Sequence, residues 1–130
     1  MMSRDCTELE VWIQGKKLVN LAYILTTRFP KKELFDLTSQ VRRIATSVPL
    51  NIAERYERRT SKDDALQFLH AAQESLYELE TKFGVALDQK YVSNVNFEII
   101  SKKIHLSKKL TSGFINYYKK IENEKFRTII

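Results

Sequence analysis

The chain has little of what breaks regular structure or staples a small fold. Its 130 residues include only three glycines, two prolines and one cysteine. Scarce glycine and proline favour long regular elements over an all-β fold with many tight turns. The lone cysteine, Cys6, excludes an intrachain disulfide and a multi-cysteine metal site, and it is typical of a reduced compartment.

Long apolar runs are also missing. No run approaches the roughly 20 residues of a membrane span, and the polar opening MMSRDCTELE is not that of a signal peptide. We therefore expect a single cytoplasmic domain over residues 1–130, with no membrane partner. A chain of this size buries roughly two thirds of the surface that its unfolded form exposes, so it can form a hydrophobic core without disulfide bonds or a structural metal.

Apolar residues recur at three-and-four spacing in four segments, and we expect these stripes to form the core. They are Val11, Leu18, Ala22, Leu25 and Phe29 in the first segment, Leu37, Val41, Ile44, Ala45, Val48 and Ile52 in the second, and Phe97, Ile100, Ile104, Leu110, Phe114, Tyr118 and Ile121 in the fourth. The spacing predicts helices over about 10–29, 36–57, 61–89 and 95–121. Short connections between long helices favour antiparallel neighbours, so we predict an all-α, antiparallel up-down-up-down four-helix bundle. The third helix has the 3.5-residue repeat of a left-handed bundle seam, at Ala65, Leu69, Ala72, Leu76, Leu79, Phe83 and Ala86.

A proline interrupts the apolar repeat of the second predicted helix. Pro49 lies within LTSQVRRIATSVPLNIAE, residues 37–54. A proline inside a helix costs about 3 kcal/mol, so packing elsewhere in the fold must offset this cost. We predict a bend near Ala45, whose carbonyl loses its hydrogen-bond donor.

Positive charge is concentrated near the end of the chain. The net charge is +6, and the segment 99–121 alone holds six lysines and no acidic residue. On a helix, Lys102, Lys109 and Lys120 project to one side, away from the apolar sector. Such a face favours polyanionic partners, although a charged face is often only solvated.

Other cations cluster at the predicted turn between the second and third helices. They are Arg55, Arg58, Arg59 and Lys62. Such a turn can contact a nucleic-acid backbone. The alternative is a solvated turn that neighbouring acidic residues partly balance.

The adjacent arginines Arg42 and Arg43 have two interpretations. We favour structural ion pairs between helices, with Glu78, Glu80 or Glu54 as partners. The alternative is phosphate binding, because a guanidinium group matches phosphate bidentately.

Catalytic and metal-binding patterns are missing. There is no glycine-rich phosphate loop and no arrangement of serine or cysteine with histidine that forms a nucleophile. His70 and His105, the only histidines, fall on different predicted helices without a set of carboxylates beside them. We expect a protein that is not an enzyme, with no metal and no cofactor.

Residues 37–54 resemble the core motif of the four-helix-bundle proteins encoded in intervening sequences of bacterial 23S ribosomal RNA genes. ELEVWIQGKKLV at 8–19 is similar to the opening block of that family. The pair Phe68–Leu69 and the run SLYELET at 75–81 resemble its third helix. The chain has Asp36, Arg55 and Glu74 where the family usually has glycine.

The resemblance implies an antiparallel bundle that assembles into a ring-like homo-oligomer, a pentamer in some relatives. It implies no activity, since the family has none established. A distant branch, the accessory proteins of diversity-generating retroelements, shares the bundle and works with a reverse transcriptase and its RNA. We therefore expect a basic bundle that binds itself and, through phosphate contacts, nucleic acid, with RNA as the expected ligand. The alternative is an adaptor that docks a protein such as a reverse transcriptase or another polymerase.

Overall fold

The computed structural model describes residues 4–57 and 62–129, with side chains for residues 9–54 and 64–120. These residues form four α-helices and one short 3-10 turn, and they include no β-strand. The helices are α1 (Arg4–Thr26), α2 (Leu37–Glu57), α3 (Lys62–Asp88) and α4 (Asn94–Ile129), and the 3-10 turn is Lys31–Glu33.

All four predicted helices are present, with three differences in their bounds of more than two residues. Helix α1 begins at Arg4, six residues before the predicted start at about residue 10. Helix α4 continues past Ile121, where the sequence predicts its end. Helix α1 ends at Thr26 and not at Phe29, because the chain tightens into a turn before Pro30. There the N–H of Phe29 donates to the Thr26 carbonyl at 3.0 Å, a bond that spans three residues and not four.

The helices pack around a shared apolar core. Helix α1 packs against α2 and α4, and α3 packs against the same two helices. The apolar stripes predicted for α1, α2 and α3 are buried, which confirms those three predictions. None of the described helices is both long and apolar enough to cross a membrane.

The core face of α4 differs from the prediction. Ile100, Ile104, Phe114 and Tyr118 are buried as predicted, whereas Phe97 and Leu110 are only partly buried against the core. The side chain of Ile121 lies outside those described. Ser107 and Thr111 are also buried, with 2% and 0% of their surface exposed. The apolar pattern missed these two positions because their side chains carry hydroxyl groups.

Helix α2 passes through Pro49 without interruption. Pro49 is buried and its ring contacts Gly15 of α1. Two residues later, Asn51 Nδ2 donates to the Ser47 carbonyl at 2.7 Å. This hydrogen bond goes to Ser47 and not to Ala45, whose carbonyl loses its helical donor to Pro49.

The end of α3 is closed by backbone hydrogen bonds. Tyr91 N–H donates to the Ala86 carbonyl at 2.8 Å, and Lys90 N–H donates to the Leu87 carbonyl at 2.9 Å. Lys90 has a φ of 63°, so it occupies the left-handed position of a Schellman cap. The Tyr91 ring lies 5.7 Å from that of Phe29, which ties this turn to the end of α1.

Candidate nucleic-acid interface

The side of α4 opposite the core carries a continuous exposed stripe. We call it the outer stripe of α4, and its members follow one another at steps of three or four residues, the spacing of one helix face. All of them are exposed: Val95, Ile99, Lys102, Leu106, Lys109, Gly113, Tyr117 and Lys120. The prediction that Lys102, Lys109 and Lys120 share one side of the helix, away from the core, is confirmed.

The outer stripe is not purely charged. Val95 is 67% exposed, Ile99 and Tyr117 are 46% exposed, and Leu106 is 38% exposed. The Tyr117 ring is held edge-on against the buried Tyr118, with 5.9 Å between the ring centroids. The stripe thus combines three cations, four apolar or aromatic side chains and no acidic residue, a mixture suited to a partner that offers negative charge and flat surfaces.

Lys108 differs from the lysines of the outer stripe. Only 13% of its side chain is exposed, and its Nζ lies 2.9 Å from Glu80 Oε1 on α3. The same Nζ lies 4.0 Å from the centroid of the Tyr77 ring. His105 Nε2 approaches the second oxygen of Glu80 at 3.7 Å. Lys108 is therefore a cation that joins α3 to α4.

Arg42 has partners that the sequence did not predict. Its Nε donates to Thr26 Oγ1 at 2.9 Å, and its guanidinium carbon lies 4.7 Å from the centroid of the Tyr23 ring. Among the described side chains, neither Arg42 nor Arg43 forms an ion pair with Glu78 or Glu80. The reason is position: Arg42 lies against the end of α1, whereas Glu80 lies against α4.

Both arginines line an open groove that we call the α1–α2 groove. Its volume is about 680 Å³, and α1, the turn before α2 and α2 itself supply its walls. Phe35, in that turn, is 93% exposed, and Leu34 beside it is 47% exposed. None of the described residues that line the groove is acidic. The sequence carries one sign of this groove: Leu34 and Phe35 are adjacent apolar residues outside any helical stripe.

The predicted basic turn lies outside the described side chains. Arg58 and Arg59 fall within residues 58–61, and Arg55 and Lys62 belong to α2 and α3 through their backbone only. Their contribution to a binding surface stays a prediction.

Titratable groups elsewhere form no metal-binding cluster in the described part of the chain. No group of three or more histidine, cysteine, aspartate or glutamate residues is placed there to hold an ion. His70 is exposed on α3.

Comparison with known proteins finds a family model and solved structures that resemble this chain. The model of a family described as 23S rRNA-intervening sequence protein matches residues 7–113. The crystal structure of a protein of unknown function from Bacteroides thetaiotaomicron, assigned to the S23 ribosomal protein family, matches with a TM-score of 0.77. The two chains are 21% identical over 85% of this chain and 98% of that one, a likeness that shows the fold alone. No curated protein sequence matches.

Proposed function

This chain belongs to the 23S rRNA-intervening sequence protein family, and we propose that it is a non-enzymatic, self-associating bundle that binds nucleic acid, with RNA as the expected ligand. The observation that carries the proposal is the outer stripe of α4, which aligns Lys102, Lys109 and Lys120 on one exposed side without an acidic residue among them. The basic turn at 55–62 extends the same function.

Contacts between helices support the antiparallel up-down-up-down topology. On α3 and α4, Gln73 donates to Ser112 at 2.6 Å and Glu80 accepts from Lys108 at 2.9 Å. From Gln73 to the later residue Glu80 on α3, the partner on α4 moves back from Ser112 to the earlier residue Lys108. This reversed order is that of antiparallel helices. The contacts of α1 with α2 follow the same reversed order.

Phosphate neutralisation is the mechanism that fits the outer stripe. Lysine side chains release condensed counterions when they pair with phosphates, and the release drives binding without reading the base sequence. Tyr117, fixed by its contact with Tyr118, adds a ring on which a base can stack. We propose assembly into a ring, with a pentamer as the first oligomer to test. Such a ring would repeat the outer stripe around its axis and raise the local positive potential.

A second candidate function is an adaptor that docks a protein, such as a reverse transcriptase or another polymerase. The observation that favours it is the exposure of Val95, Ile99 and Leu106 between the lysines. Exposed apolar residues that follow one helix face are typical of surfaces that another protein covers.

Salt dependence of RNA binding tests the first function. The affinity for a fluorescent RNA strand is measured by anisotropy between about 50 and about 300 mM salt. We expect the logarithm of the association constant to fall linearly with the logarithm of the salt concentration. Binding that does not change with salt contradicts the phosphate mechanism.

A pull-down that recovers a protein partner and no nucleic acid favours the adaptor. Light scattering of the purified protein measures the number of subunits in the assembly and so tests the proposed self-association.

A further inference from the structure

The α1–α2 groove is a second charged and aromatic surface, separate from the outer stripe of α4. We propose that it binds single-stranded nucleic acid, with a phosphate on Arg42 and Arg43 and an unstacked base on the ring of Phe35. The inference rests on the proposed function, nucleic-acid binding, but on different residues and on a narrower class of ligand.

Arg42 is held in place before any ligand arrives. Its Nε donates to Thr26 Oγ1, and the Thr26 hydroxyl donates to the Ala22 carbonyl at 2.8 Å inside α1. The face of the guanidinium group lies over the Tyr23 ring. These contacts engage one N–H and one face of the group. Its terminal N–H donors bond no other side chain among those described, so they are placed to bind an anion without further ordering.

Arg43 adds a second cation to the same groove. It is exposed, and it forms no ion pair with a carboxylate in the part of the chain whose side chains are described. Among the described residues that line the groove, two carry guanidinium groups and none is acidic, so the lining itself is positively charged. Phosphate is the complementary ligand, because the planar fork of arginine donates two parallel hydrogen bonds to it.

Phe35 supplies the part of the site that selects single strands. Its ring is 93% exposed in the turn before α2, so it contributes almost nothing to the core. An aromatic ring in this position can stack on a base, which is worth about 1–3 kcal/mol per base in complexes with single strands. A duplex hides its base faces within the stack, so it cannot use this ring.

Charge favours nucleic acid over a second copy of the chain as the occupant. Each copy has a net charge of +6, so a copy docked on Arg42 and Arg43 brings more positive charge to a groove whose described lining residues include two arginines and no acid. A nucleic acid strand brings the opposite charge together with flat rings, and the groove offers partners for both.

Two substitutions test the site without disturbing the core. Phe35→Ala removes the ring and Arg43→Ala removes a cation, and both residues are exposed. Arg42→Ala is less suitable, since it also breaks the bond to Thr26. The matched controls are Ile24→Ala, which removes a 63% exposed apolar side chain of α1, and Arg28→Ala, which removes an exposed cation outside the groove lining.

Binding is measured by anisotropy with a labelled uridine-rich RNA strand and with a duplex of the same length. We expect Phe35→Ala to weaken single-strand binding about 10-fold and to leave duplex binding unchanged. Arg43→Ala should lower the salt slope by about 0.7. Neither control should change binding. With 4-thiouridine in the strand, ultraviolet light should crosslink RNA to the tryptic peptide 33–42, which contains Phe35.

Each other outcome overturns the inference in a distinct way. A further variant replaces Lys102, Lys109 and Lys120 of the outer stripe by alanine. If the protein binds RNA and only this variant weakens binding, the groove is not a site, while the proposed function stands. If the wild-type protein binds no RNA, both fail. If Phe35→Ala changes the number of subunits and not the affinity for RNA, the groove is a contact between copies of the chain.

Discussion

Gly15 and Pro49 face each other in the buried contact between α1 and α2. A Cβ atom on Gly15 would lie 3.4 Å from the Pro49 Cβ and 3.6 Å from its Cα and Cδ. The space between the α1 backbone and the proline ring therefore holds a methyl group and nothing larger. Close packing of the ring against α1 stabilises the fold and helps to offset the cost of a proline inside α2.

The size of residue 15 should decide the stability of this contact. We expect Gly15→Ala to be neutral or stabilising by up to about 1 kcal/mol, because alanine favours the helix and its Cβ meets Pro49 at van der Waals distance. Gly15→Leu should destabilise by about 1–3 kcal/mol, because it overpacks the contact. Urea unfolding gives both values.

Gly84 provides the matched control for this pair of substitutions. It also lies inside a helix, but a Cβ there would meet no atom within 4 Å. Gly84→Leu should therefore not destabilise the protein. A Gly15→Leu variant as stable as the Gly84→Leu variant would contradict the close approach of α1 and α2.

Two buried threonines should respond in opposite directions to the same substitution. Thr111 is fully buried on α4, and its hydroxyl has no partner among the described atoms. Thr111→Val should stabilise the protein by about 1 kcal/mol, because it removes an unsatisfied buried polar group. Thr26→Val should destabilise it by about 1–2 kcal/mol, because Thr26 bonds both the Ala22 carbonyl and Arg42. Thermal unfolding of the two variants compares them, and a Thr111→Val variant that unfolds earlier than wild type would contradict this assignment.

The core could be predicted wherever apolar residues mark it. On α3, positions 65 to 86 alternate steps of four and three, and every predicted member is buried. On α4 the same seam passes through Ser107 and Thr111, and apolar periodicity does not register hydroxyl groups. Burial of those two residues depends on how α4 packs against its neighbours, which a pattern along one helix does not contain.

For the candidate site too, the sequence predicts what depends on one helix alone and not what depends on contacts between helices. A turn of 100° per residue was enough to place Lys102 and Lys109 on one side of α4. The inward position of Lys108 depends on Glu80, which is 28 residues away in the chain. The partners of Arg42 depend likewise on where α1 ends beside α2. Contacts between helices, and not the pattern within one helix, decided what these cations bind.

Lys108 and Lys109 are neighbours in sequence with different roles. Lys108→Ala should destabilise the protein by about 1–2 kcal/mol, because it removes the charged bond to Glu80, the contact with the Tyr77 ring and a largely buried stem. Lys109→Ala, which removes an exposed lysine, should change stability by no more than about 0.5 kcal/mol. Urea unfolding of both variants measures the difference. Equal stability of the two would show that Lys108 does not join α3 to α4.

The lysines of the outer stripe should set the salt dependence of RNA binding. Replacing Lys102, Lys109 and Lys120 by alanine should reduce the slope of log K against log salt by roughly 2, since each phosphate contact to a single strand contributes about 0.7. Stability should hardly change, because all three side chains are exposed. The control removes three exposed cations outside α4, at Lys17, Arg28 and Lys90, which alters net charge equally. Equal loss of slope in both variants would mean that RNA responds to the total charge of the protein. A loss confined to the α4 variant would assign the phosphate contacts to the stripe itself.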